Sequence, residues 1–278
     1  MGLLRDAWSQ IHWFIGITAG SVLVVVGLSG AVLSFRGETR EADPYTGALR
    51  PHPRGEDFFE FVERLHRWLL LSREDGKPVT GTLAAGLLVL ALSGLYLRWP
   101  RRPLSWRAWL RLDFGLKGRA FLWNLHAVVG TIALPLYMVS AATGVYWGFD
   151  AVRTWVDGAA GEGRGARMQR MDGRAAAAAG TPVAGPDLRR VWSGFVDATA
   201  GDWTQVTLRL PARGPGEVEA TYLRRDAAHE RARNRLYLDA STGRATRHER
   251  YDDKPLAARL VNSIYPLHMG TYWGLPGR

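Results

Sequence analysis

Three long apolar stretches dominate this sequence, and each is long enough to cross a lipid bilayer as a helix. They cover residues 12–35, 79–99 and 121–149. The first and third contain no Lys, Arg, Asp or Glu, and the only charge in the second is Arg98, near its end. Because about 20 apolar residues of helix span the bilayer core, the chain is predicted to be a mainly α-helical membrane protein with three transmembrane helices.

The formal net charge of +10 is unevenly distributed along the chain. The segment 98–119 holds seven Lys or Arg side chains and one acid, whereas acids outnumber bases in residues 36–64. Short loops rich in Lys and Arg stay in the cytoplasm. The pattern therefore predicts that the N-terminus and the basic loop are cytoplasmic, and that residues 36–78 and everything after the third stretch lie outside. It also argues against a nucleic-acid partner.

The chain contains no cysteine. This excludes disulfide bonds, thiolate-bound metal clusters and the covalent C-x-x-C-H attachment of c-type haem. The apolar run near the N-terminus is too long for the hydrophobic region of a cleaved signal peptide, and no clear A-x-A cleavage site follows it. We therefore expect this first segment to remain in place as a membrane anchor.

Two of the apolar stretches contain a histidine, with His12 opening the first and His126 near the start of the third. Ionisable groups inside a membrane span are costly, and a functional site is their default interpretation. Two more histidines, His66 and His268, lie where chain segments meet the opposite membrane face. The predicted topology therefore pairs His12 with His126 near the inner face, and His66 with His268 near the outer face.

Two histidines at each level suit the axial positions of a b-type haem. Two neutral imidazoles on opposite sides of a porphyrin saturate the iron, so that the haem transfers electrons and does not bind oxygen. We predict two non-covalent b-type haems, whose iron ligands are His12, His126, His66 and His268. Each histidine also has an ordinary interpretation: an interfacial residue (His12), a hydrogen bond between helices (His126), an amphipathic helix face (His66) or a helix start (His268).

Two further structured segments are predicted outside the membrane. Residues 56–71 show the apolar spacing of an amphipathic helix, which is expected to break over residues 73–78. After a Gly- and Ala-rich linker, Pro186-Asp187 is expected to cap a helix that packs on a small antiparallel sheet. The predicted strands are 205–210, 218–223 and 234–239, followed by a turn at 239–243. The remaining histidines are expected to be loop or solvated residues: His52, His229 and His248.

Six short motifs follow one another in the order found in a known family. They are His12-Trp13-Phe14-Ile15-Gly16, Leu65-His66-Arg67, Ser93-Gly94-Leu95-Tyr96-Leu97-Arg98-Trp99-Pro100-Arg101, Leu125-His126-Ala127-Val128-Val129-Gly130, Tyr237-Leu238-Asp239-Ala240-Ser241-Thr242-Gly243 and Pro266-Leu267-His268-Met269-Gly270. On these motifs the chain resembles the PepSY-associated transmembrane proteins, which include bacterial ferric-siderophore reductases. The resemblance implies a four-span helical core, an external PepSY domain and, in the reductase members, two haems with paired histidine ligands. The fourth span is expected from the family but absent from this chain.

The expected organisation combines three transmembrane helices with a small α+β PepSY-like domain outside the cytoplasm. In chain order, the expected segments are a first transmembrane helix (1–35), an outer loop with an amphipathic helix (36–78), a second transmembrane helix (79–99), a basic cytoplasmic loop (98–120), a third transmembrane helix (121–149), a linker (150–185), the PepSY-like domain (186–265) and the start of a truncated fourth helix (266–278).

The resemblance also implies a function and a location. The chain is expected to be a multi-pass protein of the bacterial inner (cytoplasmic) membrane, surrounded by membrane lipid, with its PepSY-like domain in the periplasm. There it would act as a ferric-chelate reductase, passing electrons to a ferric siderophore for iron uptake. Five arginines of the outer domain could attract an anionic chelate, but an ordinary solvated surface is the favoured explanation for them: Arg224, Arg225, Arg231, Arg233 and Arg235.

The sequence leaves the electron donor and two rival functions open. No phosphate-binding loop or dinucleotide fingerprint is present, so electrons must come from a quinol or from a separate cytoplasmic reductase. The first rival is a membrane-anchored PepSY module that regulates or binds a partner and performs no redox chemistry. The second is a haem subunit that serves a different acceptor within a larger complex.

Overall fold

A computed structural model of the chain describes residues 2–36, 55–161, 185–211 and 216–272. The chain forms two compact units. The first unit runs to Val152 and also includes Leu267–Gly270, and the second contains Arg153–Pro266. The predicted fold class is confirmed, because long apolar helices make up most of the first unit and a small antiparallel sheet lies in the second.

Within the described residues, three helices are long and apolar enough to cross a membrane. These are α1 (Leu3–Leu33), α3 (Arg73–Arg98) and α5 (Gly118–Gly148). Helices α1 and α5 have 31 residues each, which corresponds to about 46 Å of helix and exceeds the roughly 30 Å of a bilayer core. Most of their side chains are not buried within the protein, as expected of surfaces that contact lipid.

Helices α3 and α5 pack closely because small residues face each other. A Cβ atom added at Gly144 of α5 would lie 2.9 Å from the Cβ of Ala84, and one added at Gly81 of α3 would lie 3.0 Å from the Cα of Gly148. Small residues let helix backbones approach in a membrane, where van der Waals contact drives their association. This close pair provides a frame on which α1 packs through α3.

The amphipathic helix α2 (Glu56–Trp68) precedes α3, as predicted. It ends because Leu69 and Leu70 adopt positive φ angles of 52° and 63°. The predicted break at 73–78 is wrong, because Ser72 caps α3 by accepting a hydrogen bond from the Asp75 N–H and the helix begins at Arg73. Pro78 is tolerated inside this helix because it is exposed, so the carbonyl that loses its partner can be solvated.

Two short helices flank the third span. Helix α4 (Trp106–Leu110) lies in the basic loop, and α6 (Asp150–Ala159) follows α5. A linker was predicted from residue 150, but its first ten residues form α6. Their apolar side chains recur at helical spacing, and Asp150 in the first turn suits the positive end of the helix dipole.

The second unit contains one helix on a four-stranded antiparallel sheet. Helix α7 (Leu188–Thr199) begins as predicted, because Asp187 accepts hydrogen bonds from the Arg189 and Arg190 N–H groups. The strands pair in the order β1-β2-β3-β4. Their bounds are β1 (Gln205–Arg209), β2 (Glu217–Leu223), β3 (Asn234–Asp239) and β4 (Ala245–Glu249).

The core of the second unit lies between α7 and one face of the sheet. Val191 and Phe195 of α7 are completely buried, as are Val218, Leu236 and Leu238 of the sheet. The predicted turn after β3 is stabilised by Asp239. Its side chain accepts hydrogen bonds from the backbone N–H groups and the hydroxyls of Ser241 and Thr242. These bonds lower the pKa of Asp239 to about 2. Helix α8 (Leu256–His268) follows β4 in the chain.

Candidate functional site

His12 and His126 lie next to each other, although 114 residues separate them in the chain. Helix α1 carries His12 and α5 carries His126, and their ring centroids are 6.2 Å apart with an interplanar angle of 74°. We call these residues the inner pair, after the membrane side that the loop charges predict. Their meeting follows from the positions of both residues in the third turns of helices that enter the membrane from the same predicted side.

His66 and His268 form a second pair, which we call the outer pair. His66 lies near the end of α2 and His268 is the last residue of α8. Their ring centroids are 6.0 Å apart, with an interplanar angle of 56°. The structure therefore brings together the same two pairs that the predicted topology implies, and all four residues belong to the first unit.

The two pairs lie at different levels along α1. His12 belongs to this helix, whereas the ring of His66 contacts it at Val26, Ser29 and Gly30. At 1.5 Å per residue, the 14 to 18 residues between these positions correspond to about 25 Å along the helix axis. The pairs are therefore close to opposite ends of the apolar stretch and form separate sites.

Three of the four imidazoles use Nδ1 for a hydrogen bond to the protein. His12 Nδ1 lies 2.8 Å from Ser93 Oγ, and His268 Nδ1 lies 2.7 Å from Thr143 Oγ1. His66 Nδ1 lies 2.9 Å from the Val26 carbonyl oxygen. A carbonyl can only accept a hydrogen bond, so His66 must carry its proton on Nδ1.

The same tautomer follows for His12 and His268 from the other bonds of their hydroxyl partners. Ser93 Oγ donates to the Leu90 carbonyl, and Thr143 Oγ1 donates to the Val139 carbonyl. Each hydroxyl has one proton, so its remaining role is to accept from the imidazole Nδ1–H. In all three histidines, Nε2 then keeps a free lone pair, which is the form that binds a metal.

The outer pair is also held in the neutral state. Burial lowers the pKa of His66 below its ordinary value of 6.5, because the charged imidazolium loses its hydration. Since the neutral form predominates when the pKa falls, this imidazole remains available as a ligand near pH 7.

The separation within each pair suits one metal ion between two imidazoles. A metal–imidazole bond is about 2 Å long and the ring centre lies about 1 Å beyond the nitrogen, so ligands on opposite sides of one metal have ring centres about 6 Å apart. The observed separations are 6.2 Å and 6.0 Å. Along the parts of the chain that the structure describes, no group of three or more His, Cys, Asp or Glu residues could hold a bare metal ion. Two nitrogen ligands suit an iron whose other four positions are supplied by a porphyrin.

Two glycines leave space for the histidine rings. A Cβ atom at Gly30 of α1 would lie 2.8 Å from His66 Cε1, and one at Gly94 of α3 would lie 3.2 Å from His12 Cε1. Distances below 3.4 Å are tighter than ordinary van der Waals contact. Each pair therefore has one ring that lies against helix backbone at a position without a side chain.

The hydroxyl and glycine partners were not among the predicted site residues. Ser93 and Gly94 belong to the Ser93–Arg101 motif, but the sequence does not say which side of α3 faces His12. Ser29 and Thr143 are polar residues inside apolar stretches, which is the signal that could have identified them. Their role depends on the rotation of each helix about its axis, and packing sets that rotation.

The expectation that His229 is solvated is wrong, whereas His248 is half-buried. His229 is 6% exposed, and its Nε2 lies within hydrogen-bond distance of the hydroxyls of Tyr251 and Ser263. His248 Nε2 lies 2.9 Å from the hydroxyl of Tyr222. Tyr251 and Ser263 are distant from His229 in the sequence, so the local composition did not indicate its burial. His52 lies outside the described residues.

Two of the arginines considered for an anionic chelate are already paired with carboxylates. Arg224 forms ion pairs with Asp202, Asp226 and Asp252. Arg235 forms ion pairs with Glu219 and Glu249. These ion pairs reduce the positive potential around the two side chains. They therefore attract an anionic chelate less strongly than the number of arginines in this segment suggests.

Comparison with known proteins identifies one matching family. The family model described as the PepSY-associated TM region matches residues 36–278, which is most of the chain. The match covers three of the paired histidines and the whole second unit. No curated protein matches the sequence significantly.

Proposed function

The chain belongs to the family of the PepSY-associated TM region, and from the geometry of its paired histidines we propose that it is a haem b electron-transfer protein of the bacterial inner membrane. The observation that carries this proposal is the presence of two histidine pairs, each with ring centres about 6 Å apart. A porphyrin iron between two imidazoles has this spacing.

In this proposal the residues of each pair bind the iron, and their neighbours orient the imidazole rings. His12 and His126 would hold the inner iron, and His66 and His268 would hold the outer iron. The hydrogen bonds from Nδ1 to Ser93, Val26 and Thr143 fix the ring orientation and increase the basicity of Nε2. A haem iron held by two imidazoles would transfer electrons and would not bind oxygen.

A haem with two imidazole ligands supplies a one-electron Fe(III)/Fe(II) couple. The two levels, about 25 Å apart along α1, would divide the membrane crossing into two stages. The basic loop supports entry of electrons at the inner pair and exit at the outer pair, since such loops stay in the cytoplasm. A quinol that loses two electrons and two protons, or a cytoplasmic reductase, would supply the electrons.

The proposed acceptor is a ferric siderophore on the periplasmic side, where the PepSY domain would also lie. Siderophores bind iron through hard oxygen ligands, which prefer the ferric ion to the ferrous ion. Addition of one electron to the iron therefore weakens its complex and releases it for uptake. In this proposal the protein acts as a ferric-chelate reductase.

The visible spectrum of the purified protein tests the proposal. After expression with ample haem, we expect a Soret band, a low-spin six-coordinate spectrum and two haems per chain that acid-acetone extracts. Extraction is expected because the chain has no cysteine for covalent attachment. If no Soret band develops, the electron-transfer proposal is wrong and a PepSY module with a regulatory or partner-binding role becomes the better explanation.

A substitution at Gly30 is expected to disturb only the outer site. A valine side chain at this position would collide with His66, since its Cβ alone would lie 2.8 Å from His66 Cε1. We expect Gly30→Val to lose most of the outer haem while retaining the inner haem, measured as haem per protein and by redox titration. Gly27→Val is the matched control, because nothing lies within 4 Å of a Cβ at Gly27. Equal haem content in the two variants would contradict the placement of His66.

Removal of a hydroxyl partner is expected to weaken the ligand that it holds. In Ser93→Ala, the Nδ1–H of His12 loses its acceptor, and loss of such a partner typically weakens metal binding about 10–100-fold. Titration of the haem-free protein with haem measures this change at the inner site. Ser34→Ala is the control, because the Ser34 hydroxyl bonds to the Ala31 carbonyl of its own helix. An inner-site affinity equal to that of wild type would show that Ser93 does not orient His12.

A further inference from the structure

Arg98 is the last residue of α3, and its guanidinium bonds to the main chain. Its Nη2 donates hydrogen bonds to the main-chain carbonyls of Ala108 and Trp109, at 3.2 Å and 3.4 Å. Its Nε is buried and has no hydrogen-bond partner. Among the residues that the structure describes, no ion pair involves Arg98, and Asp113, the one acid of the basic loop, pairs with Arg111. The guanidinium is thus held by neutral acceptors at Nη2, and its Nε is left unsatisfied.

An arrangement of this kind is costly unless an anion completes it. A buried N–H without a partner loses its bond to water and gains none in return, at a cost of about 1–3 kcal/mol. A guanidinium presents five donors in a planar fork that matches a carboxylate. The unsatisfied Nε is one of the donors that a carboxylate binds side-on, so this buried edge of the guanidinium has the chemistry of a carboxylate site.

The position of Arg98 on α3 places its guanidinium near the inner pair. Gly94 lies one helical turn before Arg98, on the same face of α3, and the ring of His12 lies against Gly94. The rise between the two residues is about 6 Å. Arg5 of α1 lies at the same level, because its Nη2 donates to the Leu97 carbonyl at 3.0 Å. Positive charge therefore borders the inner pair at the end of α3.

We propose that Arg98 binds a propionate carboxylate of the inner haem. This inference rests on the proposed function and adds a residue that orients the group in its site. A b-type haem carries two propionates on one edge, and the edge would then point toward the end of α3 where Arg98 and Arg5 lie. The main-chain bonds to Ala108 and Trp109 hold the guanidinium in position before the carboxylate arrives, so little side-chain entropy is lost on binding.

Binding of haem and of its dimethyl ester to the inner site tests this inference. Esterification removes the propionate charges and leaves the iron and the ring unchanged. The experiment uses haem-free protein carrying His66→Ala, so that only the inner site is titrated. We expect Arg98→Gln to weaken ferric haem binding about tenfold or more, because a hydrogen bond to a charged group is worth about 1.5–3 kcal/mol. The diester should bind equally well with and without Arg98→Gln.

Two further variants test whether the charge or the fork geometry of Arg98 matters, and whether loss of another charge in the same loop has the same effect. Arg98→Lys keeps the charge but not the fork, so we expect it to restore part of the haem affinity. Arg111→Gln removes one charge from the same loop, at a side chain that is 76% exposed, and it should leave haem affinity unchanged. If Arg98→Gln weakens haem and diester equally, Arg98 has a structural role or binds a lipid phosphate, and the inference is wrong.

The outcomes also separate this inference from the proposed function. If the protein carrying only His66→Ala binds neither haem nor its diester, the haem site itself is wrong. If that protein binds haem tightly and Arg98→Gln binds it with the same affinity, the haem site stands and the assignment of Arg98 is overturned.

Discussion

In the His126→Ala variant we expect the inner haem to be lost and the outer haem to remain, and in His66→Ala we expect the reverse. In the proposed arrangement each haem has two protein ligands, and the two histidine pairs lie about 25 Å apart along α1. Loss of one imidazole should therefore remove one haem and leave the other bound. Haem per protein should fall from two to one in each variant, and redox titration should show that a different couple disappears in each.

The control for this experiment is a histidine outside both pairs. His248 bonds to the Tyr222 hydroxyl in the second unit, so His248→Ala should retain both haems. Equal loss of both haems in His126→Ala or in His66→Ala would contradict two separate sites.

Outward electron transfer is expected to stop in His66→Ala. In oriented vesicles with a reducing system inside, a ferric siderophore added outside should be reduced by the wild-type protein, and a colorimetric ferrous trap should record the product. Without the outer haem, an electron at the inner pair has no carrier at the outer level, which is about 25 Å away along α1. The variant should therefore release almost no ferrous iron, although its inner haem is still reduced normally.

The control for this measurement is again chosen to keep both sites intact. His248→Ala vesicles should transfer electrons at the wild-type rate, which would exclude a general effect of substitution on insertion or orientation. If His66→Ala delivered electrons as fast as wild type, the outer pair would not lie on the path. If transfer occurred only from outside to inside, the topology that the basic loop predicts would be wrong.

The fold was largely predictable because its strongest signals are local. Apolar stretches of at least 20 residues indicate membrane helices on length alone, and the Asp187 cap marked the start of α7. Strand β4 was missed because its sequence, Ala245–Glu249, is mostly polar and exposed. It is a strand because the turn after β3 directs the chain back along β3, with a register that pairs Leu236 with His248.

The start of α3 shows how one capping residue can outweigh a proline. The sequence predicted a break at 73–78, since Pro78 and Gly76 disfavour a helix interior. Ser72 provides a cap for the Asp75 N–H, and Leu69 and Leu70 supply the change of direction earlier in the chain. Leucine at a positive φ angle has no sequence signal, so the true position of the break could not be predicted.

The pairing of the histidines could be predicted from topology, but the details of each pair could not. The positions of His12 and His126 near the starts of two apolar stretches indicate a common depth. The Ser93 and Thr143 hydroxyls that bond to His12 and His268 depend on which helix faces meet. No local pattern encodes this rotation, and the small residues that allow it act only through packing between helices.

The coordination of the two irons is the central claim, and electron paramagnetic resonance of the oxidised protein tests it most directly. Two imidazoles on each iron give a low-spin ferric state, because both axial positions hold strong nitrogen ligands. We expect two low-spin ferric signals that integrate to two spins per chain, one of which disappears in His126→Ala and the other in His66→Ala. A dominant high-spin signal in the wild-type protein, or one low-spin signal that both variants abolish, would contradict two haems held by these two pairs.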